Sequence, residues 1–341
     1  MNNKTQYTYI FIILFTLFLS FILKIDISNG GATRDLYHHW SFIKALNISL
    51  GILLQTDIYI QNAFPHHFPL HHIVISRFNI LSTNLDTYLN FYFIFSLFLP
   101  ILFYFCLDNR FPEINIRKKI FISSIIYFLP NYQASSIWGN SHITSLLFFL
   151  CSLYFLINLE KLKNKNINLN IFFLVFFMAC AAYARQYYVI FFPYLFISII
   201  RISKFKNVFF FCLISLLLCI PGLLLLYKHS TIFGFSSEVT DFKSSILIVL
   251  SIIFVYLVPF FISDLKSKFL EIKQLFKNNY SLLFLSFLII LFCYLSLNFN
   301  YNGYVGGGLY FKISKVMIGN NILFFIISFL SLLLCFYYFK E

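Results

Sequence analysis

Long apolar runs, separated by short polar segments, fill this chain from one end to the other. Segments such as "YIFIILFTLFLSFIL" and "VFFFCLISLLLCIPGLLLLY" approach or reach the ~20 residues that a helix needs to cross ~30 Å of hydrocarbon. The pattern predicts an all-α, polytopic membrane protein with about ten transmembrane helices. The expected spans lie near residues 7–25, 86–107, 118–134, 140–158, 170–184, 186–201, 207–227, 244–263, 280–298 and 321–338.

Composition agrees with this class. Hydrophobic residues make up 60% of the chain and charged residues only 11%, whereas ordinary soluble domains carry about 25% charged residues. A single water-soluble core is therefore excluded, and we expect one integral membrane domain over residues 1–341. The seven cysteines all fall inside apolar runs, so neither a disulfide framework nor a thiolate metal site is expected.

Basic residues are distributed unequally between the two faces of this topology. With the N-terminus inside, sixteen of the 25 basic residues fall in cytoplasmic segments, while the twelve acidic residues divide evenly. This positive-inside bias fixes the orientation, with both termini cytoplasmic. It also explains the net charge of +13 without a nucleic-acid partner. The short chain and the lack of retrieval signals favour a bacterial plasma membrane over the endoplasmic reticulum.

All eight histidines fall on the external face, and six of them lie in the first external loop, residues 26–85. This loop is also the longest segment outside the spans, so we expect the chemistry of the protein at the outer membrane surface. The six histidines are His38, His39, His66, His67, His71 and His72.

Two stretches of this loop, "HHWSFIKALNISLGILL" and "PLHHIVISRFNIL", have the spacing of amphipathic helices that lie in the membrane interface. Pro69 suits the first position of the second helix because it has no N–H to leave unsatisfied. His71 and His72 would then lie in the first turn, where the helix end attracts anions and disfavours a protonated imidazole. We expect a lipid phosphate there. The alternative is that these histidines only shield helix ends.

Asp35 is the candidate catalytic residue, since it follows the first span closely and lies near the membrane surface. A carboxylate in that place can accept a proton from a hydroxyl during group transfer. The alternative roles are an ion pair with Arg34 or the N-cap of the following helix. Asp57 is the second candidate.

A metal site is the rival use of the histidines. His67 and His71 are four residues apart, but Pro69 between them breaks the helical geometry of a paired ligand set. There is no H-E-x-x-H and no carboxylate cluster. We therefore expect neither a metal nor another cofactor.

Arg185, in "CAAYARQYYVIFFPY", interrupts an apolar run that is too long for one span, so the chain is expected to turn outward at Arg185–Gln186. Its guanidinium is suited to hold a phosphate, with Tyr183, Tyr187 and Tyr188 lining the same pocket. The alternative is an ordinary loop arginine that reaches the surface.

Two further external segments are polar. "LPNYQASSIWGNSH" brings His142 into a group of side chains that could bind sugar hydroxyls, or that form only a hydrated turn. The three glycines Gly306 to Gly308 match no phosphate-binding fingerprint. We expect a loop there, with a lid over the substrate as the alternative.

These motifs resemble those of the GT-C superfamily of membrane glycosyltransferases. "RDLYH" and "ARQYY" are similar to two signatures of the family of terminal glucosyltransferases in dolichol-linked oligosaccharide assembly. The first is a paired-acid, aromatic, histidine signature in the first loop, and the second is an Arg-Gln at the outer end of a later helix. "FPHHFPLHHIVISRF" resembles the approach to the second interfacial helix. The paired acids are here Arg34–Asp35, so one carboxylate remains. The likeness covers mainly residues 1–200.

The resemblance implies a hexosyltransferase that moves a sugar from a polyprenyl-phosphate carrier to a hydroxyl of a glycan or lipid-linked acceptor. It carries over Asp35 as the base and His38 from the first signature, and Arg185 and Gln186 from the second. The phosphate would lie near Arg185 and the loop histidines. Such a donor needs no nucleotide site, and membrane lipids are the remaining partner.

Three other classes stay open. A polymerase or ligase of lipid-linked glycans also uses external arginines and histidines, but typically on a large later loop. A transporter or flippase predicts ionisable residues in the middle of spans, where only Arg185 is a candidate. A pure scaffold leaves the one-sided histidine cluster unexplained.

Overall fold

A computed structural model describes residues 3–25, 31–54, 68–161, 166–228, 246–254, 257, 265–278, 280–295, 313, 314, 316 and 322–338. Within these ranges every regular element is a helix and no strand occurs, so the all-α prediction is confirmed. The chain divides into two compact units, Met1–Gly234 and Phe235–Glu341. The single domain expected for residues 1–341 stays a prediction.

In the described residues of the first unit, twelve α-helices follow one another along the chain. They are α1 Asn3–Ile22, α2 Gly31–Ile48, α3 Leu70–Ser76, α4 Asn79–Thr83, α5 Leu85–Ser96, α6 Phe98–Arg110, α7 Ile116–Ser124, α8 Pro130–Ile137, α9 His142–Lys161, α10 Ile167–Ala184, α11 Phe192–Ile202 and α12 Phe205–Lys228. Short 3-10 helices occupy Leu50–Leu54, Ile125–Phe128 and Gln186–Phe191.

The second unit contains a helical stretch at 246–254 and three longer helices, α13 Leu265–Asn278, α14 Tyr280–Leu295 and α15 Ile322–Tyr338. Its core joins Leu247 and Ile248 to Ile290 and Phe324, all of which are buried. The Ser328 hydroxyl donates to the carbonyl oxygen of Leu247 at 2.8 Å, which fixes α15 against the 246–254 stretch.

Four helical segments in the described part are long and apolar enough to cross a membrane: Leu85–Arg110, His142–Lys161, Ile167–Ala184 and Phe205–Lys228. They coincide with four predicted spans. Shorter apolar helices lie at Ile10–Ile22, Gln186–Ile202, Leu283–Phe292 and Ile322–Tyr337, each inside or beside a further predicted span. The total of about ten spans stays a prediction.

The predicted span at 118–134 is not one continuous helix. Helix α7 ends at Ser124, a 3-10 turn follows, and Leu129 adopts an extended conformation with ψ of 122° before Pro130 begins α8. The cause is local, because a residue that precedes proline is driven out of the helical region. The apolar character of residues 118–134 alone did not predict that the helix is interrupted there.

Small residues allow the spanning helices to approach closely. Ser152 on α9 is fully buried and its hydroxyl donates to the carbonyl oxygen of Leu174 on α10, at 2.9 Å. Small side chains and interhelical hydrogen bonds are the usual means by which helices associate in lipid. Around this contact, α9 and α10 share a core with α11 and α12 that includes Met178 and Leu195.

The segment predicted to be the first external loop, residues 26–85, is largely helical where it is described. Helix α2 takes up its first half, and α3 and α4 follow Pro69. Pro69 itself lies at the N-cap of α3, one position before the expected one. The Arg77 guanidinium, after α3, donates to the carbonyl oxygen of Leu46 near the end of α2 and so connects the two halves of the loop.

Candidate functional site

Helices α2 and α3 bring two loop histidines into direct contact. Nδ1 of His39 and Nε2 of His72 lie 2.7 Å apart in a buried hydrogen bond, so one of the two nitrogens carries the shared proton. The imidazole of His72 also packs edge-on against the ring of Phe42, with the ring centroids 5.3 Å apart. His39 and His72, which are 33 positions apart in sequence, therefore form one polar contact in apolar surroundings.

His71 points towards the spanning helices. Its Nδ1 lies 3.0 Å from the hydroxyl of Thr144 on α9, and its Nε2 lies 3.1 Å from the hydroxyl of Tyr88 on α5. Both ring nitrogens thus have internal partners, and the side chain is buried. His71 therefore holds Thr144 and Tyr88 in position. The geometry does not support a role for His71 as a direct ligand of the substrate.

The turn before α9 completes this network. The Tyr88 hydroxyl donates to the carbonyl oxygen of Gly139, and the Tyr92 hydroxyl donates to that of Asn140 at 2.6 Å. Gly139 has φ of +63°, and a Cβ added there would lie 2.6 Å from the Tyr88 ring. Only glycine fits this left-handed turn against the tyrosine. The turn therefore fixes the start of α9 and, through it, Thr144.

Arg185 ends α10 at the predicted outward turn. Its backbone leaves the helix with φ of −150° and ψ of 112°, and its N–H donates to the carbonyl oxygen of Ala181 at 2.8 Å. The side chain is half-buried, and its Nε is buried without a hydrogen-bond partner among the residues that the structure describes. A guanidinium N–H in this position is available to an added acceptor, because a buried donor left unmatched is costly.

Charge in this region is concentrated on Arg185. Burial lowers its pKa, while the acidic groups of Tyr187 and Asp35 oppose that shift; the guanidinium nevertheless remains protonated, as arginine does in proteins. The Asp35 carboxylate thus acts on the charge of Arg185, although 150 positions separate the two residues in sequence.

The histidines near this cation are held neutral. Burial first, and the Arg185 charge second, lower the pKa of His39 well below its ordinary value and that of His71 to about 3. The low basicity expected for His71 is therefore found, but its cause is burial and Arg185 rather than the end of a helix. An anion here would meet the Arg185 guanidinium beside uncharged imidazoles.

Asp35 is an exposed residue of α2, four positions before the buried His39. Since residues four apart share a helix face, the carboxylate lies along the same side of α2 as the buried His39–His72 pair. The helix begins at Gly31, so Asp35 is inside it and the proposed N-cap role is wrong. The alternative ion pair of Arg34 with Asp35 stays a prediction.

His142 and Tyr187 meet beside Arg185. Nδ1 of His142 lies 3.1 Å from the Tyr187 hydroxyl, and the two rings stack with centroids 6.4 Å apart. Gln186 begins the 3-10 turn that carries Tyr187 and Tyr188. Of the remaining candidates, His38 is exposed on α2, and the others lie outside the described residues: His66, His67, His229, Asp57 and Gly306–Gly308.

Sequence reasoning missed Tyr88, Tyr92 and Thr144, which form the inner part of the network. They lie inside predicted spans, and the chain has 23 tyrosines, so residue type alone gave no signal. The available clue was "WGNSH", where a glycine and polar residues precede a span. Among the described residues no group of histidine, cysteine or acidic side chains is arranged to hold a metal ion.

Comparison of the chain with protein-family models, with curated proteins and with solved structures finds no match.

Proposed function

We propose that the chain is a membrane glycosyltransferase that moves a sugar from a polyprenyl-phosphate carrier to an acceptor hydroxyl, with Asp35 as the general base. The observation that carries the proposal is the buried Nε of Arg185, which has no partner among the described residues and follows directly on α10 beside the His142–Tyr187 contact, with the Asp35 carboxylate acting on the same guanidinium. Group transfer from a lipid phosphate needs a base for the acceptor and a cation for the leaving group, and these two residues provide both kinds of group.

Arg185 is suited to the phosphate. Its Nε donor is buried and unmatched among the described residues, and a guanidinium binds phosphate oxygens in a bidentate manner. The neutral state of His39 and His71 matters here, because uncharged imidazoles do not compete with Arg185 for the anion. A cation in such an apolar environment also acts more strongly than it would in water.

Asp35 is suited to the acceptor. Its carboxylate is exposed, so an acceptor hydroxyl can reach it from the aqueous side. In the proposed step the acceptor O–H gives its proton to Asp35, and the acceptor oxygen forms a bond to the anomeric carbon. The bond from that carbon to the phosphate oxygen breaks, and its electron pair leaves with the polyprenyl phosphate beside Arg185.

The test is release of polyprenyl phosphate from a panel of polyprenyl-phosphate hexoses by the purified full chain in proteoliposomes, with glycan acceptors added. We expect Asp35→Asn to lower the rate by about 10²–10⁴-fold, the usual contribution of a general base. Arg185→Lys should also lower it, because lysine lacks the bidentate fork. The matched control is Asp86→Asn, an exposed carboxylate that pairs with Lys24 at 3.3 Å and should leave the rate unchanged.

Two outcomes contradict the proposal. Full activity in Asp35→Asn, with unchanged thermal stability, removes Asp35 from the role of base. Movement of intact donor across the bilayer without release of polyprenyl phosphate would assign the protein to the transporters instead.

A further inference from the structure

Helix α13, Leu265–Asn278, differs from every other long helix in the described part of the second unit because it is both charged and amphipathic. Its sequence "LKSKFLEIKQLFKN" contains four lysines and one glutamate. At 14 residues it is too short to cross a bilayer, and its charges forbid a spanning position. It nevertheless ends directly before α14, an apolar helix that begins at Tyr280.

One face of α13 contacts the end of α15. The Tyr337 hydroxyl, near the end of α15, donates to the carboxylate of Glu271 at 2.5 Å. This contact joins α13 to the end of an apolar helix, so α13 lies at the level where α15 ends. That level is the boundary between hydrocarbon and water if α15 is a span.

The opposite face carries lysines beside exposed apolar groups. A helix turns by about 100° per residue, so Phe269 and Lys273, each two positions from Glu271, point to the other side. Phe269 and Leu270 are 60% and 58% exposed. Lys273 and Lys277 are also exposed, and together with Phe269 they follow one face at four-residue spacing.

We propose that α13 lies along the membrane surface and binds anionic phospholipid headgroups through Lys273 and Lys277, with Phe269 inserted among the acyl chains. Charge complementarity selects the partner, since a helix with lysines beside an apolar stripe is the form that binds anionic bilayers. Long lysine side chains can keep their ammonium groups at the headgroups while their stems cover apolar surface. This surface is independent of the proposed transferase site.

The experiment measures hydrogen exchange of peptides from 265–278 in the full-length protein. The protein is placed in nanodiscs of phosphatidylcholine alone or of phosphatidylcholine mixed with phosphatidylglycerol. We expect slower exchange in the anionic discs, with the difference lost at high salt. Lys273→Gln should reduce that difference about fivefold, as should Lys277→Gln, because a lysine near an anionic surface contributes about 1 kcal/mol.

Gln274→Ala is the matched control, since Gln274 is an exposed neutral neighbour on the same helix and should leave the lipid dependence unchanged. Phe269→Ser should speed exchange in both kinds of disc, which reports the apolar insertion separately. Equal exchange in the two lipid mixtures would overturn the proposal. Slower exchange in the phosphatidylcholine discs that appears only when RNA is added would also overturn the proposal. The lysines would then bind a nucleic acid.

Discussion

The imidazole rings of His39 and His72 share a hydrogen bond of 2.7 Å between α2 and α3, in a region where a third imidazole, that of His71, is fully enclosed. A hydrogen bond between two imidazoles needs one nitrogen without a proton, so the pair cannot be doubly protonated without losing the contact. The contact between α2 and α3 therefore depends on at least one of these two histidines being neutral.

This dependence predicts loss of stability in acid. The folded-state pKa of His71 is about 3, below its ordinary value of 6.5, so the unfolded chain binds the proton first as the pH falls. The contribution of neutral His71 to the free energy of unfolding should therefore be complete above pH 6.5. It should decrease as the pH falls from 6.5 towards 3. For His71 the slope approaches about 1.4 kcal/mol per pH unit, and His39 adds to it in the same direction.

Thermal midpoints of the purified protein between about pH 7.5 and about pH 4, which cover the upper part of that window, measure this effect. His71→Asn should lower the midpoint at neutral pH but weaken its dependence on acid. His38→Asn, which removes an exposed imidazole from α2, is the control and should leave that dependence as in the parent. An acid dependence that is the same in His71→Asn and in the parent would contradict this explanation.

A second prediction concerns the turn that holds Tyr88. Gly139→Ala should destabilise the protein by roughly 1–3 kcal/mol through its left-handed φ alone, with a further cost because the new Cβ would lie 2.6 Å from the Tyr88 ring. Gly51→Ala is the matched control, since its Cβ meets only the Ser49 hydroxyl, at 3.1 Å. Unfolding of both variants by heat in the same detergent measures the difference. Equal midpoints would show that the turn adapts to a side chain.

A third prediction compares two ion pairs. Lys119 is buried, with 4% of its side chain exposed, and its ammonium lies 2.7 Å from the carboxylate of Asp108. Asp108→Asn leaves that ammonium without its counter-charge, which should cost about 1–3 kcal/mol. The Lys24–Asp86 pair is exposed at both ends, so Lys24→Gln should change stability by only about 0–1 kcal/mol. A larger midpoint shift in Lys24→Gln than in Asp108→Asn would contradict this ranking.

The parts of the fold that could be predicted depend on local chemistry. The four long apolar helices follow from continuous apolar runs, and the end of α10 at Arg185 follows from one charge in such a run. The inner network could not be predicted, because Tyr88, Thr144 and Gly139 meet only when α5 and α9 pack together. Burial of His71 likewise depends on that packing, so the sequence indicated an interfacial histidine where the structure has an enclosed one.

The last prediction concerns the backbone hydrogen bonds of α12 around Pro221. Pro221 lies inside this helix and Gly222 follows it. The Gly222 N–H donates to the Tyr183 hydroxyl at 2.8 Å, and the same hydroxyl donates to the carbonyl oxygen of Leu218. The tyrosine hydroxyl thus lies between the two groups that would bond to each other in an uninterrupted helix, and such insertions are a known cause of helix bends.

Tyr183→Phe removes this bridge and leaves two backbone groups without their partner in an apolar environment, at a cost of about 1–3 kcal/mol. We expect a lower thermal midpoint and faster hydrogen exchange at the Gly222 amide. Tyr194→Phe, in which the tyrosine is 56% exposed, is the matched control and should change neither. Because the ring of Phe68 packs edge-on against Tyr183, with centroids 5.3 Å apart, the first external loop should also exchange faster near α3. Unchanged exchange at Gly222 would mean that α12 closes its own hydrogen bonds and that the tyrosine serves only as packing.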